Sequence, residues 1–434
     1  MTIRAALAAL SVLAFLSTPT HAETLEQAWA QAYQTNPGLA AKRSELKITQ
    51  EQITMARTHW QPTINAVTGI GKLYDDTPNN ALLPASDSLT PRNFGVEVVQ
   101  PIFRGFRTIE ETSAAQKQAK AQYARFQAAQ QRLFLNVAAA YLDIVRDQAV
   151  VDLMRHNQEV LDQQLQETQK RLEIGEVTRT DVMQAQSREQ GAKTALVQAQ
   201  GQLADDRAAY LRFVGTEPSL LQSPDIKFDP PQSEEVFIDS AVTKNPAVIA
   251  ASYSKDQADN ETGVSKGNLL PELNLVGSAT RSWEQSEFIP GRQDEERVML
   301  QLKIPLYQAG ADYSQIRSSE HKSVERRMEL EDVRLAVKQE ATSAWQALTT
   351  ARSAAASDQA QVDAASQAWE GVCKEAKAGT RTTLDILNAE QELLVAKVAL
   401  VQAKRDEALA IMQIKASTGA LTADALCLPQ SARE

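Results

Sequence analysis

Two aspartates at equivalent positions of a repeated motif, Asp181 and Asp385, are the residues whose type and spacing most suggest a site. A carboxylate in the first turn of a helix interacts favourably with the positive end of the helix dipole, and when exposed it attracts cations. Arg381 precedes Asp385 in the same motif, Asn388 follows it, and Thr180 precedes Asp181. Taken alone, these residues could equally be ordinary helix-start acids and, for Arg381, a solvated loop charge.

No combination of nucleophile, base and orienting group in the sequence indicates an enzyme. The four histidines are scattered along the chain: His21, His59, His156 and His321. We therefore expect no catalytic residues, no metal site and no cofactor, and we expect any function to come from shape and charge.

The motif that carries the aspartates marks a tandem duplication. The stretch 173–185, EIGEVTRTDVMQA, returns 204 positions later as 377–389, KAGTRTTLDILNA. Gly175 and Gly379 are equivalent, and each is expected to end an incoming helix in the left-handed conformation. Further landmarks divide the chain into a first repeat over 23–215, a linker over 216–232, a second repeat over 233–419 and a tail over 420–434.

The first 22 residues have the pattern of a secretory signal peptide, with Arg4 before an apolar run and a small-residue cleavage site before Glu23. No later run is long and apolar enough for a spanning helix. The net charge of −10 gives no reason to expect nucleic acid as a partner. Cys373 and Cys427 are too few and too far apart along the predicted helices to indicate a disulfide framework.

Each repeat contains two segments in which apolar residues alternate, as in strands, at about 63–101 and about 272–305. Val298, Leu300 and Leu302 lie on one side of such a segment, for example. Strands of about ten residues could cross a bilayer when tilted, and Tyr74, Trp283 and Phe288 would suit an aromatic girdle. A pair of soluble β-hairpins explains the alternation equally well.

A very long helical pattern follows each pair of strands. Residues 106–174 and 311–370 contain no Gly or Pro, and apolar residues recur every seven positions in both. Such heptads indicate coiled-coil packing. The patterns stop at tips over about 173–181 and 377–385, and return helices are expected from Asp181 and from Asp385.

This organisation resembles the TolC family of outer-membrane efflux and secretion channels, and the segment 379–389, GTRTTLDILNA, carries the strongest likeness. The resemblance covers essentially the mature chain. It implies a mainly α fold with a β-barrel part: tandem-duplicated long α-helical hairpins that form a trimeric α-barrel tunnel, and one shared twelve-stranded transmembrane barrel to which each chain gives four strands. A homotrimer would remove the open sheet edges that lipid does not tolerate.

The resemblance also assigns roles at the tip. Asp385 would face the pore at its narrowest point, and Asn388 stands where many relatives have a second aspartate, so a single acidic ring is expected. Arg381 corresponds to a latch residue that would pair with Asp181 or its neighbour Thr180. The turns at Gly175 and Gly379 would be gripped by a partner.

The implied function is a passive exit duct in the outer membrane of a Gram-negative cell, with a large periplasmic portion. It would be opened by a periplasmic adaptor (membrane fusion) protein and an inner-membrane ABC or proton-driven transporter, and it would contact outer-membrane lipid. Type I protein secretion and drug efflux both remain open, as does small-molecule or metal efflux alone. A periplasmic coiled-coil scaffold without a pore is the alternative from another class.

Overall fold

The computed structural model describes residues 23–74, 88–224, 226, 228–285, 291–424 and 426. The expected signal segment 1–22, Phe288 and Cys427 lie outside these ranges. The described helices and strands follow one another as α1 (Leu25–Thr35), α2 (Pro37–Thr58), β1 (Thr63–Ile70), β2 (Arg92–Arg104), α3 (Arg107–Glu173), α4 (Arg179–Val214), α5 (Glu234–Lys244), α6 (Pro246–Gly267), β3 (Glu272–Trp283), β4 (Arg292–Lys303), α7 (Ala311–Lys377) and α8 (Thr383–Ser417).

Each repeat begins with two short helices separated at an Asn-Pro pair. Thr24 caps α1 in a capping box, because its hydroxyl accepts a hydrogen bond from the backbone N–H of Gln27 and its own N–H donates to the Gln27 side chain. Asn36 ends α1 and caps α2, and Asn245 does the same between α5 and α6. Proline at the first position of the second helix needs no N–H partner there.

The four strands form one antiparallel sheet in the order β1-β2-β3-β4. The hairpins pair Thr63 with Val99 and Glu272 with Lys303, and β2 pairs with β3 to join the two repeats. β1 and β4 are therefore the sheet edges, and both are exposed along their whole length in the single chain. One face of the sheet carries exposed apolar side chains: Ile64, Ile70, Phe94, Val298, Leu300 and Leu302.

The turn from β2 into α3 packs tightly against the end of α6. Gly105 has a φ of 60°, and a Cβ at this position would lie 2.5 Å from the carbonyl oxygen of Gly267. A Cβ on Gly267 would in turn lie 2.6 Å from the carbonyl oxygen of Gly105. Two glycines are thus needed for the backbones of the two repeats to meet where the sheet joins the helices.

The long helices α3 and α7 each contain 67 residues and would span about 100 Å at 1.5 Å per residue. In the middle of α3, the heptad residues Val137, Ile144 and Val151 are buried. Towards the tip the fully buried positions shift to Asn157, Leu161 and Thr168. Leu161 and Thr168 continue the row of Ala140 and Asp147, which lies three positions from the first heptad row, so one buried seam runs along the helix.

Two core clusters hold the middle of the helical region. The larger cluster surrounds Trp29, Phe134 and Tyr141, with the Trp29 indole N–H donating to the Phe134 carbonyl at 2.8 Å. The second cluster surrounds Phe237, which stacks on Trp345. None of the helices in the described ranges is both long and apolar enough to span a bilayer.

Candidate functional site at the two helical turns

The two turns that end α3 and α7 have the same backbone geometry. Gly175 has a φ of 81° and Gly379 a φ of 78°. Gly379 N donates to Ala376 O at 3.0 Å, and Thr380 N donates to Glu375 O at 3.0 Å, with equivalent bonds in the first turn. This is the Schellman motif, in which a left-handed glycine lets two backbone N–H groups satisfy the last helical carbonyls.

The return helices begin two residues earlier than expected, at Arg179 and Thr383, because two threonines cap them. The Asp385 carboxylate accepts hydrogen bonds from Thr382 N at 2.9 Å and from the Thr382 hydroxyl at 2.8 Å. Asp385 N donates back to that hydroxyl at 3.3 Å. Thr178 and Asp181 form the same reciprocal pair in the first turn. Sequence reasoning missed both threonines, although the Thr-x-x-Asp spacing was visible.

These hydrogen bonds favour the ionised form of the tip aspartates. The backbone N–H of Thr382, then its hydroxyl, and then the charge of Arg381 hold the pKa of Asp385 below its ordinary value. The pKa of Asp181 is lowered in the same way, first by Thr178. Both aspartates are partly exposed, so each turn presents a fixed negative charge at its surface.

Arg381 forms an ion pair within its own turn, where its Nε lies 2.9 Å from Glu375 Oε2. The first turn has the reverse arrangement, in which Arg171 on the helix pairs with Glu176 on the turn at 3.1 Å. Thr180 is exposed in the first turn of α4. A pairing of Arg381 with Asp181 or Thr180 stays a prediction.

Asn388 connects the two hairpins. Its Oδ1 accepts a hydrogen bond from Arg188 Nη2 of α4 at 3.4 Å. Behind this contact, Leu161, Ala192 and Leu387 form a small buried cluster contributed by α3, α4 and α8. The tip of the second repeat thus packs on the first repeat through α8.

A buried carboxylate lies one turn above this cluster. Glu390 on α8 is 8 % exposed, and its Oε2 has no hydrogen-bond partner among the residues that the structure describes. Burial raises the pKa of Glu390 above its ordinary value, although the charges of Lys397 and His156 oppose that change. The periodicity of α8 gave no indication that this acid is buried.

Farther from the tip, an ion network joins α3 to α4. The Arg146 guanidinium donates to three carboxylates: Asp143 at 2.9 Å, Asp147 at 2.6 Å and Asp206 at 3.0 Å. Burial raises the pKa of Asp206 to about 6, and a hydrogen bond with Asp147 together with the charges of neighbouring aspartates acts in the same direction.

The same network also includes α8. Arg405 donates to Asp143 on α3 at 2.8 Å and to the adjacent Asp406 at 2.9 Å. The positions that the duplication makes equivalent to the aspartates and arginine of α3 and α4 are uncharged: Ala347, Thr350, Ala351 and Ala410. The network is therefore specific to the joint between the two hairpins of one chain.

Within the part of the chain that the structure describes, no three His, Cys, Asp or Glu side chains come together as a metal site. His59 instead bonds to Glu111, with Nδ1 2.6 Å from Oε2. His321 lines an open groove between α6 and α7.

Comparison with known proteins identifies the family. The family model described as "Outer membrane efflux protein" matches residues 29–216 and 237–420, which correspond to the two repeats. The chain is 31 % identical to the outer membrane efflux protein BepC of Brucella suis over 94 % of its own length and 87 % of the relative. It is 27 % identical to the outer membrane protein TolC of Vibrio cholerae, over 95 % and 94 % of the two chains.

The fold agrees with this match. The crystal structure of the CmeC outer membrane channel of Campylobacter jejuni superimposes with a TM-score of 0.81 at 16 % identity, over 92 % of this chain and 86 % of that one. The expected fold class of long helical hairpins with four strands per chain is thereby confirmed. Members of the family are channels rather than enzymes. The chain belongs to the TolC family of outer membrane efflux proteins and is itself a protein of the outer membrane.

Proposed function

We propose that three copies of this chain assemble into a passive exit duct across the outer membrane and the periplasm. The observation that carries the proposal is the open four-stranded sheet, whose edges β1 and β4 are exposed along their whole length. In lipid, each unsatisfied backbone group at such an edge would cost several kcal/mol. Pairing β1 of one copy with β4 of the next would remove every edge and give a twelve-stranded barrel.

The tip turns would form the entrance of the duct. In a threefold assembly, Asp385 from each copy would contribute to a single acidic ring, because the position one turn later is Asn388. The capping bonds from Thr382 support this role, since they favour the charged form of each carboxylate. Three carboxylates held close together repel one another, which opposes ionisation of all three. A cation bound in the ring would relieve this repulsion, so the ring would attract cations.

Arg381 would limit opening of the tip. Its side chain pairs with Glu375 and is 50 % exposed, so Asp181 or Thr180 of a neighbouring tip helix could serve as a second partner. An adaptor protein that packs on the turns at Gly175 and Gly379 would compete for these groups. An ABC or proton-driven transporter in the inner membrane would then supply the energy, and the duct would supply only the path.

Two classes of transported substrate, secreted proteins and small molecules, are compatible with the proposed duct. The GTRTTLDILNA segment is closer to the secretion and multipurpose branch of the family, which favours type I protein secretion, whereas the efflux name of BepC favours small molecules. Deleting the gene and measuring both secreted proteins and drug sensitivity would separate the two. Loss of an extracellular protein without a change in drug sensitivity would indicate secretion, and the reverse would indicate efflux.

Single-channel conductance of the purified protein in a planar bilayer tests the duct itself. We expect a small cation-selective current that grows in Arg381→Ser and loses selectivity in Asp385→Asn, because asparagine can keep the helix cap but not the charge. Arg171→Ser is the matched control, since Arg171 makes an equivalent ion pair in the other turn. Folded protein without discrete conductance would refute the duct and favour the periplasmic coiled-coil scaffold. A current insensitive to both substitutions would keep the duct but show that Arg381 and Asp385 do not form its gate.

A further inference from the structure

A row of basic and aromatic side chains crosses the outer end of the sheet. The register pairs Arg92 with Trp283 and Trp283 with Arg292, so the three residues lie side by side on one face of β2, β3 and β4. Neighbouring strands are about 4.8 Å apart, so the two arginines flank the tryptophan with about 10 Å between their strands. Arg92 is exposed, and the Arg292 side chain is 59 % exposed.

This row lies on the apolar face of the sheet. The next row towards the helices contains Phe94, and later rows contain Val298, Leu300 and Leu302, all of them exposed in the single chain. The opposite face is polar, with Ser278 and Gln293 among its residues. This face carries Arg281, Asp294 and Glu296 near its outer end and apolar residues nearer the helices, and it is the one that would contact lipid in the proposed barrel.

The position along the strand sets the depth of this row. Ten residues separate Arg292 from Leu302 on the same face, which is about 34 Å along the strand and about 24 Å after a tilt of 45°. The apolar band of an outer-membrane barrel is about 25 Å tall, and the span from Arg292 to Leu302 matches it with the carboxylates of Asp294 and Glu296 at its outer edge. Because β2 and β4 join the helices at their other ends, the row would sit at the boundary farthest from the periplasm, where lipid head groups begin.

Charge in this region is only partly neutralised. Asp294, one row nearer the membrane centre, accepts a bidentate pair from Arg281 at 2.7 and 3.2 Å and lies 3.4 Å from Arg292. Glu296 follows in the next row. Among the described residues, Arg92 has no ion-pair partner, and Arg292 keeps guanidinium donors beyond its one contact with Asp294. Guanidinium donors at a lipid head-group boundary match phosphate in geometry and charge.

We propose that the Arg92, Trp283 and Arg292 row binds a phosphorylated glycolipid of the outer leaflet. A disaccharide with a phosphate at each end fits a row with an aromatic ring at its centre and a guanidinium on either side. The sugar would pack on Trp283, each phosphate would accept hydrogen bonds from one arginine, and the acyl chains would lie along Phe94 and the leucines below. The proposal rests on the proposed barrel, which determines the outward face and the direction of the strands.

The test is retention of defined lipids by the purified trimer, measured by native mass spectrometry after incubation with bisphosphorylated lipid A, monophosphoryl lipid A or phosphatidylglycerol. Wild type should retain the bisphosphorylated glycolipid best, and Arg92→Gln/Arg292→Gln should retain it about tenfold less, as expected for loss of charge-assisted bonds. Arg297→Gln is the matched control, because Arg297 lies on β4 but on the opposite face.

Trimer stability and conductance are recorded on the same samples. Equal retention by the double variant and the control, or equal retention of phosphatidylglycerol and bisphosphorylated lipid A, would overturn the glycolipid site while a normal conductance left the duct intact. Wild-type protein that neither trimerises nor conducts would overturn the barrel, and the site with it. If the double variant does not fold, the two glycolipids are compared on wild type alone. Weaker retention of monophosphoryl lipid A than of bisphosphorylated lipid A supports the site, and equal retention of the two refutes it.

Discussion

The ion network around Arg146 should make the stability of the helical region depend on pH. Burial raises the pKa of Asp206 from 3.8 to about 6. Because the folded-state value is the higher one, protonation stabilises the fold: this contribution is fully present below the unfolded pKa and is lost as the pH rises through about 6. At about 1.36 kcal/mol per pKa unit, the change amounts to about 3 kcal/mol.

Asp206→Asn should remove that dependence. The amide oxygen can still accept from Arg146, and the amide NH2 group can donate to Asp147, as the protonated Asp206 carboxyl does. At about pH 8 the variant should therefore be more stable than wild type by up to about 3 kcal/mol. Since unfolding entropy is about 2.1 cal/mol/K per residue, the melting temperature of a chain of this length should rise by about 3 °C.

Thermal melts followed by far-ultraviolet circular dichroism at about pH 5 and about pH 8 measure both effects. Wild type should melt at a lower temperature at the higher pH, and Asp206→Asn should narrow the difference. Asp205→Asn is the matched control, because Asp205 is the adjacent residue on the same helix but is exposed. A variant that behaves like this control would refute the assignment of the pH dependence to Asp206.

Three further substitutions test the packing that supports the proposed duct. Gly105→Ala should cost several kcal/mol and reduce the yield of folded protein, because the new methyl group would lie 2.5 Å from the Gly267 carbonyl oxygen and the residue has a positive φ. Thr382→Ala should cost about 1 kcal/mol by removing a helix cap, measured as faster proteolysis at the second turn. Tyr210→Phe should cost about 2 kcal/mol in thermal melts, because the hydroxyl donates to the Glu23 carboxylate at 2.7 Å.

Each of these changes has a neutral counterpart in the chain. For Gly105→Ala the control is Gly277→Ala, where the new methyl group meets no described atom within 4 Å. For Thr382→Ala it is Thr383→Ala, which removes a hydroxyl that is not the helix cap. For Tyr210→Phe it is Tyr33→Phe, which removes a hydroxyl from a buried ring without breaking a described hydrogen bond. If a test variant and its counterpart lose the same stability, the contact assigned to that test residue is wrong.

Features that depend on local chemistry could be predicted from the amino-acid sequence alone. The Asn-Pro pairs predicted the breaks between short helices. The alternation from Val298 to Leu302 predicted a strand, and Gly175 and Gly379 predicted the two turns. In each case a backbone preference or a periodicity acts within a few residues, so no distant contact is needed to read it. The duplication also predicted that the chain consists of two similar structural units, because two copies of one sequence pattern imply two copies of one structure.

Contacts between residues far apart in the chain could not be predicted in this way. α8 packs against α3 of the other repeat, where Glu390 is buried, Asn388 contacts Arg188 and Arg405 reaches Asp143. Within the first repeat, α4 returns along α3 and brings Asp206 to Arg146. Heptad spacing predicts that a helix has a buried face, but it does not specify the partner helix or its rotation. Polar groups on that face therefore look solvated in the sequence, and their altered pKa values arise only when packing removes the water around them.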